Sequence, residues 1–183
     1  MRFSPRRVPR LWLLSDPVRL PDPAPAAARL PRGAAVIARG MAWPALRALA
    51  ALCRRRGLTL FVAGDGRAAL RLRAGLHLPE RGATGLLPFL LGRGPLSLAV
   101  HGRAGLARGR RLRADAALIS PLFATASHPG ARPLAPHAWA WLARHAGRPA
   151  VALGGVGAAT ARRVPPQAAG LAAIEGLRHG RLR

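Results

Sequence analysis

Short runs of apolar residues recur along the chain, and a small or polar residue follows each run. The runs are continuous rather than alternating, which is typical of strands in a parallel sheet that is buried on both faces. The pattern therefore predicts eight parallel strands. They are Leu11–Ser15, Ala34–Ala38, Leu58–Ala63, Gly75–Leu78, Leu96–Val100, Ala116–Ser120, Ala150–Leu153 and Leu171–Ile174.

Helical periodicity fills intervals between these strands. Apolar residues at helical spacing predict crossover helices over Trp43–Arg56 and Pro136–Ala146. Gly57 and Gly147 follow them as expected left-handed residues that end each helix. The proline-interrupted segment Asp22–Arg29 predicts at best a short helix.

Alternating strands and helices indicate either a (β/α)₈ TIM barrel or a doubly wound open sheet. The count of eight favours the barrel. Because such barrels usually take about 200 residues or more and the chain has 183, we expect a compact barrel with trimmed outer helices. Residues 10–183 are predicted to form this single domain, and the proline-rich residues 1–9 a mobile N-terminal segment.

The chain is strongly basic, with 30 basic residues against six acidic ones and a formal charge of +24. Every basic residue is arginine, and the arginines are spread from Arg2 to Arg183 rather than concentrated. We attribute this to a bias towards GC-rich codons. With few aromatic side chains to stack on bases, nucleic acid is only a remote alternative partner.

The cysteine count and the hydropathy of the chain argue against a disulfide-rich, a secreted and a membrane-spanning protein. The one cysteine, Cys53, excludes a disulfide framework and lies at a predicted core position. The Arg6-Arg7 pair precedes an apolar run too short for a secretory signal, and no apolar stretch approaches the roughly 20 residues that span a bilayer. We expect a cytoplasmic protein without a membrane segment.

Side chains capable of chemistry follow the predicted strands. In a barrel the carboxyl ends of all strands open on one face, so residues distant in sequence converge on one pocket. Four of the six acidic residues are in this set, which favours a functional site there. The candidates are Asp16, Arg39, Asp65, Glu80, His101, Thr125, His128 and Glu175.

Several of these residues also have a purely structural interpretation. Asp16 precedes Pro17 and can initiate a turn, and Asp65 lies between two glycines where it can cap the following helix. Glu80 can form a surface pair with Arg81, and loop histidines such as His128 are mostly exposed and inert. Both interpretations stay open.

A glycine-rich turn follows the seventh strand. Val151–Gly157 passes through Gly154 and Gly155 into an expected helix start at Ala158. Backbone N–H groups at the positive end of a helix dipole suit a phosphate group, and the loops after strands seven and eight are the usual phosphate site of a barrel. The same glycines would also serve any tight turn.

Six motifs in register resemble the thiamine phosphate synthase and thiazole tautomerase (TenI) superfamily over 11–174. This resemblance implies a TIM barrel that joins a thiazole phosphate to a pyrimidine methyl diphosphate with loss of diphosphate, using Mg²⁺. The motifs are Leu11-Trp12-Leu13-Leu14-Ser15-Asp16-Pro17, Leu60-Phe61-Val62-Ala63-Gly64-Asp65, Gly75-Leu76-His77-Leu78, Val100-His101, Ser120-Pro121-Leu122-Phe123-Ala124-Thr125 and Val151-Ala152-Leu153-Gly154-Gly155-Val156.

The resemblance assigns roles residue by residue. Arg39 matches the arginine of the diphosphate motif, Asp65 matches one Mg²⁺ ligand, and Gly154 and Gly155 keep the phosphate turn. Elsewhere the chain departs from the family pattern. Met41 and His128 stand where the family has lysines, and Gly82 stands where it has the second metal aspartate. Gly64 replaces an asparagine, Ala99 replaces a serine, and Glu175 replaces a small polar residue.

These matches leave several functions open. In a divergent synthase, Arg39, Asp65 and His128 would be catalytic, and Asp65 with Glu80 would hold Mg²⁺. In a metal-independent tautomerase-like enzyme, His128 would move a proton, although Pro121 stands where the tautomerase has its histidine. A third possibility is an inactive ligand-binding barrel. Each version expects a phosphorylated heteroaromatic ligand and allows a homo-oligomer; its binding residues would be Asp16, His101, Thr125, Gly154 and Gly155.

Overall fold

The strands close into a ring. A computed structural model describes residues 8–80, 83–92, 94–125 and 132–177. Within them eight parallel strands form a closed barrel in sequence order, each pairing with the next, as the TIM-barrel prediction requires. They are β1 (Leu11–Leu14), β2 (Ala35–Ala38), β3 (Thr59–Ala63), β4 (Gly75–Leu78), β5 (Leu96–Val100), β6 (Ala116–Ile119), β7 (Ala150–Ala152) and β8 (Gly170–Ala173).

The outer layer is helical but trimmed, as the chain length predicts. Gly57 and Gly147 have the expected left-handed backbone, with φ of 66° and 63°. After β7 the described chain forms only a three-residue 3₁₀ helix, Ala161–Arg163. The α-helices are α1 (Ala24–Ala27), α2 (Trp43–Arg56), α3 (Gly66–Leu72), α4 (Leu86–Leu91), α5 (Arg103–Arg111) and α6 (Pro136–His145).

Pairing of the last strand with the first excludes the open-sheet alternative. Leu11 lies opposite Leu171, and Trp12 opposite Ala172. Because all strands are parallel, this closure brings every carboxyl end to one rim of the barrel.

The barrel interior combines a few large side chains with many small ones. The ring centroids of Trp12 and Phe61 lie 5.0 Å apart, and Trp12 pairs across the sheet with Ala35 and Ala172. Gly75 pairs with Phe61, and a Cβ at Gly75 would lie 2.5 Å from Phe61 Cδ1. Small residues therefore make the room that the two aromatic rings occupy.

A polar pair is buried in the same interior. His77 Nδ1 lies 3.0 Å from Ser97 Oγ, and both side chains are buried. Burial and, secondarily, the positive charge of Arg39 lower the pKa of His77 to about 3. His77 is therefore neutral at physiological pH, and the hydroxyl of Ser97 satisfies one of its ring nitrogens.

Cross-layer contacts hold the outer elements in place. Trp139 Nε1 of α6 donates a hydrogen bond to the carbonyl of Ile119, 3.1 Å away. Cys53 is buried, as predicted, and burial raises the pKa of its thiol to about 12. The indole N–H of Trp12 donates to the carbonyl of Pro9; residues 1–7 of the predicted mobile segment lie outside the described ranges.

A membrane-spanning helix is absent from the described part of the chain, because none of its helices is both long and apolar enough to cross a bilayer.

We predict that Gly75→Ala destabilises the protein by about 1–3 kcal/mol, because the added methyl overlaps the Phe61 ring in a filled interior. Urea unfolding followed by circular dichroism measures the change. Gly102→Ala is the matched control, because a Cβ there would meet nothing within 4 Å. Equal stabilities of the two variants would contradict the packing argument.

Candidate functional site

A cavity of about 330 Å³ opens at the carboxyl ends of the strands. We call it the central cavity. Its walls are partly apolar, with Leu14 and Ile174 among them. Side chains from four loops line the same space with polar groups, which is the arrangement expected of a ligand site. These polar side chains are Arg39, Glu80, His101, Ser120 and Thr125.

A second cavity of about 330 Å³ adjoins the first. We call it the glycine-turn cavity. It is lined by the turn from Gly154 to Thr160, by Arg19 of the β1–α1 loop and by Glu175 after β8. Thr125 and Gly154 line both cavities, so one elongated ligand can occupy both.

Close backbone packing explains the glycine pair. Gly154 and Gly155 have left-handed φ angles of 95° and 62°, and a Cβ at Gly154 would lie 2.7 Å from Pro121 Cα. The N–H groups of Leu122 and Phe123 donate to the carbonyls of Leu153 and Gly154, at 2.9 and 3.0 Å. The glycines are thus required by contact with the loop after β6, whatever the turn binds.

The expectation of a helix start after this turn is wrong. Thr160 instead closes the turn: its hydroxyl donates to the carbonyl of Gly155 at 2.8 Å and accepts the N–H of Gly157 at 2.9 Å. A three-residue 3₁₀ helix supplies no macrodipole comparable to that of an α-helix. An anion at this turn would therefore have to bind backbone N–H groups. Over the described ranges, those of Gly155 and Val156 donate to no acceptor in the protein.

Asp16 lines neither cavity, but its carboxylate lies close to one arginine from each: Arg19 of the glycine-turn cavity and Arg39 of the central cavity. Its Oδ2 lies 3.2 Å from Nη2 of Arg19 and 3.9 Å from Nη1 of Arg39. Its Oδ1 accepts the N–H groups of Val18 and Arg19, both at 3.1 Å. Burial opposes ionisation, but these hydrogen bonds and the charge of Arg19 lower the pKa of Asp16 to about 2. The turn-forming interpretation of Asp16 is correct.

Backbone contacts also position Arg39. The hydroxyl of Ser15 accepts the N–H of Arg39 at 2.7 Å and lies 3.2 Å from the Arg39 carbonyl. The side chain of Arg39 remains 40% exposed and lines the central cavity, so a ligand there can contact it.

Asp65 is used structurally. It is exposed, and its Oδ1 accepts the N–H of Ala68 at 2.9 Å as the N-cap of α3. It lines a separate cavity of about 250 Å³ with Met41 and Trp43, whereas Glu80 lines the central cavity. The helix-cap interpretation of Asp65 is therefore correct.

A magnesium site does not fit the side chains placed here. Mg²⁺ prefers several oxygen ligands in a near-octahedral set. No three His, Cys, Asp or Glu side chains within the described ranges could hold a metal ion together. Asp65 and Glu80, the two predicted ligands, line different cavities. Arg108 further holds the loop before α4 by donating to the carbonyls of Pro79 and Glu80.

The structure brings most of the predicted site residues together. Gly155 and Glu175 line the glycine-turn cavity. Asp16 lies next to one arginine of each cavity. His128 and Gly82 lie outside the described residues. The predicted residues that share the central cavity are Arg39, Glu80, His101, Thr125 and Gly154.

Two residues of the site were missed by sequence reasoning. Ser120 directly follows β6, so the rule that selected the other strand-end residues should have included it. Arg19 carries no such signal, because it is one of many arginines and reaches the glycine-turn cavity from the middle of a loop.

A larger groove of about 870 Å³ lies at the opposite, amino-terminal end of β8 and β1. Prolines, alanines and aliphatic residues dominate it, and its charged side chains are Arg10 and Arg32. Among its described lining residues there is no acid, histidine or hydroxyl group, whereas such groups line the central cavity at the carboxyl rim.

Comparison with known families identifies the family of the chain. A profile of the thiamine monophosphate synthase family matches residues 38–177, which include β3 to β8 and the lining residues of both cavities except Leu14 and Arg19. The chain belongs to the thiamine monophosphate synthase family. No curated protein matches the chain by sequence.

Solved structures share its fold at low sequence identity. A thiamine phosphate pyrophosphorylase from Pyrococcus furiosus superposes with a TM-score of 0.80 at 19% identity, covering 97% of this chain and 94% of the other. A FabK mutant from Thermotoga maritima gives 0.70 at 14%, covering 92% and 61%. The 2-keto-3-deoxy-6-phosphogluconate aldolase of Zymomonas mobilis gives 0.62 at 14%, covering 98% and 95%. At these identities the likeness establishes the fold.

We predict that Asp16→Asn lowers the free energy of unfolding by about 2 kcal/mol near pH 6, and that the difference disappears as pH falls towards 2. The folded pKa lies below the unfolded value, so ionised Asp16 stabilises the fold above about pH 4 and loses that effect on protonation. Urea unfolding from pH 2.5 to 7 measures both proteins.

Titration of His77 cancels in this comparison, because both proteins contain it. Asp22→Asn is the control, since Asp22 accepts the N–H of Ala24 and an asparagine can do the same. A constant difference between wild type and Asp16→Asn across the pH range would contradict the prediction.

Proposed function

We propose that this protein is a thiamine phosphate synthase-like protein of thiamine biosynthesis that binds thiazole phosphate and pyrimidine methyl diphosphate at the carboxyl rim of its barrel. The observation that carries the proposal is the pair of adjoining cavities. One is lined by backbone N–H groups that donate to no acceptor among the described residues, and the other is lined by polar side chains. A phosphate in the glycine-turn cavity would place the attached ring in the central cavity.

Charge in the glycine-turn cavity supports a phosphate there. The N–H groups of Gly155 and Val156 are available as donors, and Arg19 contributes a guanidinium to the same wall. Glu175 opposes them, because a carboxylate repels a phosphate dianion. The arginine therefore offsets a repulsion that the loop after β8 introduces.

Arginine also supplies the positive charge next to the central cavity. Arg39 lines that cavity, and its pairing with Asp16 holds it near Arg19. A guanidinium binds phosphate oxygens in a bidentate manner and needs no metal. Because Asp65 and Glu80 do not form a joint Mg²⁺ site, we propose that the two arginines stabilise the diphosphate.

A second candidate function is ligand binding without turnover. The use of Asp65 as a helix cap favours it, because an aspartate committed to α3 is not aimed at a leaving group. Both candidates predict binding at the same cavities, and they differ in whether product forms.

We predict that Arg19→Met weakens binding of thiazole phosphate about 10- to 100-fold, since a charge-assisted phosphate contact contributes roughly 1.5–3 kcal/mol. Glu175→Gln should strengthen binding, because it removes a like charge. Isothermal titration calorimetry measures both. Arg47→Met on the exposed face of α2 is the matched control and should bind as wild type does. An unchanged affinity in Arg19→Met would show that the phosphate does not bind in this cavity.

We predict that purified protein forms thiamine phosphate from thiazole phosphate and pyrimidine methyl diphosphate, that product still forms with EDTA present, and that Arg39→Met abolishes it. Asp65→Ala should keep activity and lose about 1 kcal/mol of stability, the usual effect of a lost N-cap. Product is measured by chromatography. Binding without product supports the inactive barrel, and product that requires both Mg²⁺ and Asp65 would refute the arginine proposal.

A further inference from the structure

Glu175 follows β8 and lies beside the glycine turn. A Cβ at Gly176, the next residue, would lie 2.5 Å from the carbonyl oxygen of Val156 and 2.9 Å from Cα of Gly157. The backbone after β8 therefore packs directly on the turn. Glu175 is exposed and lines the glycine-turn cavity. Within the described ranges its carboxylate forms no hydrogen bond or ion pair, so a ligand in the cavity can contact it.

The charged groups around this cavity balance one another. Arg19 is the one cation among the described residues that line it, and its guanidinium lies 3.2 Å from the carboxylate of Asp16. Arg39 of the adjoining central cavity lies 3.9 Å from the same carboxylate. With Glu175 included, two arginines face two carboxylates, so these groups offer no net positive charge to a doubly charged anion.

Hydrogen bonding decides which form of a phosphate fits beside a carboxylate. A carboxylate only accepts hydrogen bonds, and the terminal oxygens of a phosphate monoester dianion do the same, so the two groups repel each other. A proton on the phosphate changes this, because a P–OH group donates to a carboxylate in a short, charge-assisted bond. The second pKa of a phosphate monoester is about 6, so about a tenth of it carries this proton at pH 7.

We infer that Glu175 makes the glycine-turn cavity selective for the singly protonated form of a phosphate monoester. The P–OH group donates to the Glu175 carboxylate, and the other phosphate oxygens accept from the N–H groups of Gly155 and Val156 and from Arg19. Binding of a free dianion then takes up one proton from solvent, and no other bond forms or breaks. The inference rests on the proposed function for the presence of a phosphate in this cavity.

The same contact distinguishes phosphate from sulfate. The two anions have nearly the same size and shape, but sulfate carries no proton near neutral pH. It offers only acceptors to Glu175, so the carboxylate repels it. A cavity with the same N–H groups and arginine but without this carboxylate would bind both anions.

Calorimetry with thiazole phosphate as the probe measures the proton directly. In buffers of different ionisation enthalpy at pH 7.5, wild type should take up about 0.5–1 proton per ligand bound, and its affinity should fall about 10-fold between pH 5.5 and pH 7.5. Glu175→Gln should take up almost no proton. It should bind more weakly than wild type at pH 5.5 and more tightly at pH 7.5. Binding to wild type without proton uptake overturns the inference, and this measurement needs no variant.

Two controls assign the proton to Glu175. Asp22→Asn removes an exposed carboxylate outside both cavities and should keep the wild-type affinity and uptake. Glu80→Gln changes the carboxylate of the central cavity and should keep the uptake. Loss of uptake in Glu80→Gln but not in Glu175→Gln overturns the inference. His101 also lines the central cavity, and because every variant contains it, a change in its charge contributes equally to all of them.

Competition with inorganic anions provides a second test. At pH 6, inorganic phosphate should displace thiazole phosphate from wild type about 10-fold more effectively than sulfate does, and Glu175→Gln should reduce this preference to less than about 3-fold. Equal displacement by both anions in wild type overturns the inference. Where thiazole phosphate binds but these results fail, the proposed function stands. Absence of binding at every pH overturns the proposed function, and the inference falls with it.

Discussion

Hydrogen bonding between β8 and β1 is the constraint on which the site depends. The strands have only three to five residues each, so a strand contributes few hydrogen bonds on its own. Closure gives every strand two partners and leaves no edge unpaired. It also brings the loop after β1, with Asp16 and Arg19, next to the loops after β7 and β8. Without that pairing, Arg19 would not reach the glycine turn.

Two further sets of contacts shape the rim that closure creates. The loop after β6 packs on the turn after β7, with backbone hydrogen bonds to Leu153 and Gly154 that leave no room for a Cβ. Asp16 pairs with two arginines, and its low pKa keeps it ionised at any pH near neutrality. Backbone packing therefore fixes the shape of the turn, and the carboxylate of Asp16 positions the two arginines near it.

Nitrogen donors from side chains and backbone line this rim together with the carboxylates of Glu80 and Glu175. Guanidinium groups, backbone N–H groups and an imidazole surround the two cavities, whereas the predicted metal ligand Asp65 caps a helix. A family member can thus keep the barrel and its cavities while the residues in the surrounding loops change. The fold provides the cavity, and a few loop residues decide what happens in it.

The sequence by itself determined the strands, the main helices and the ends at which functional side chains lie. Continuous apolar runs report burial on both faces, so the β4 and β5 predictions match the observed bounds. It also placed Arg39, His101 and Gly154 correctly at one rim. Tertiary structure decided the rest: Asp65 lies apart from Glu80, Arg19 reaches a distant turn, and Nδ1 of His101 lies 3.0 Å from the carbonyl oxygen of Ser120. These outcomes depend on distances between loops from different strands, which hydrophobic periodicity does not encode.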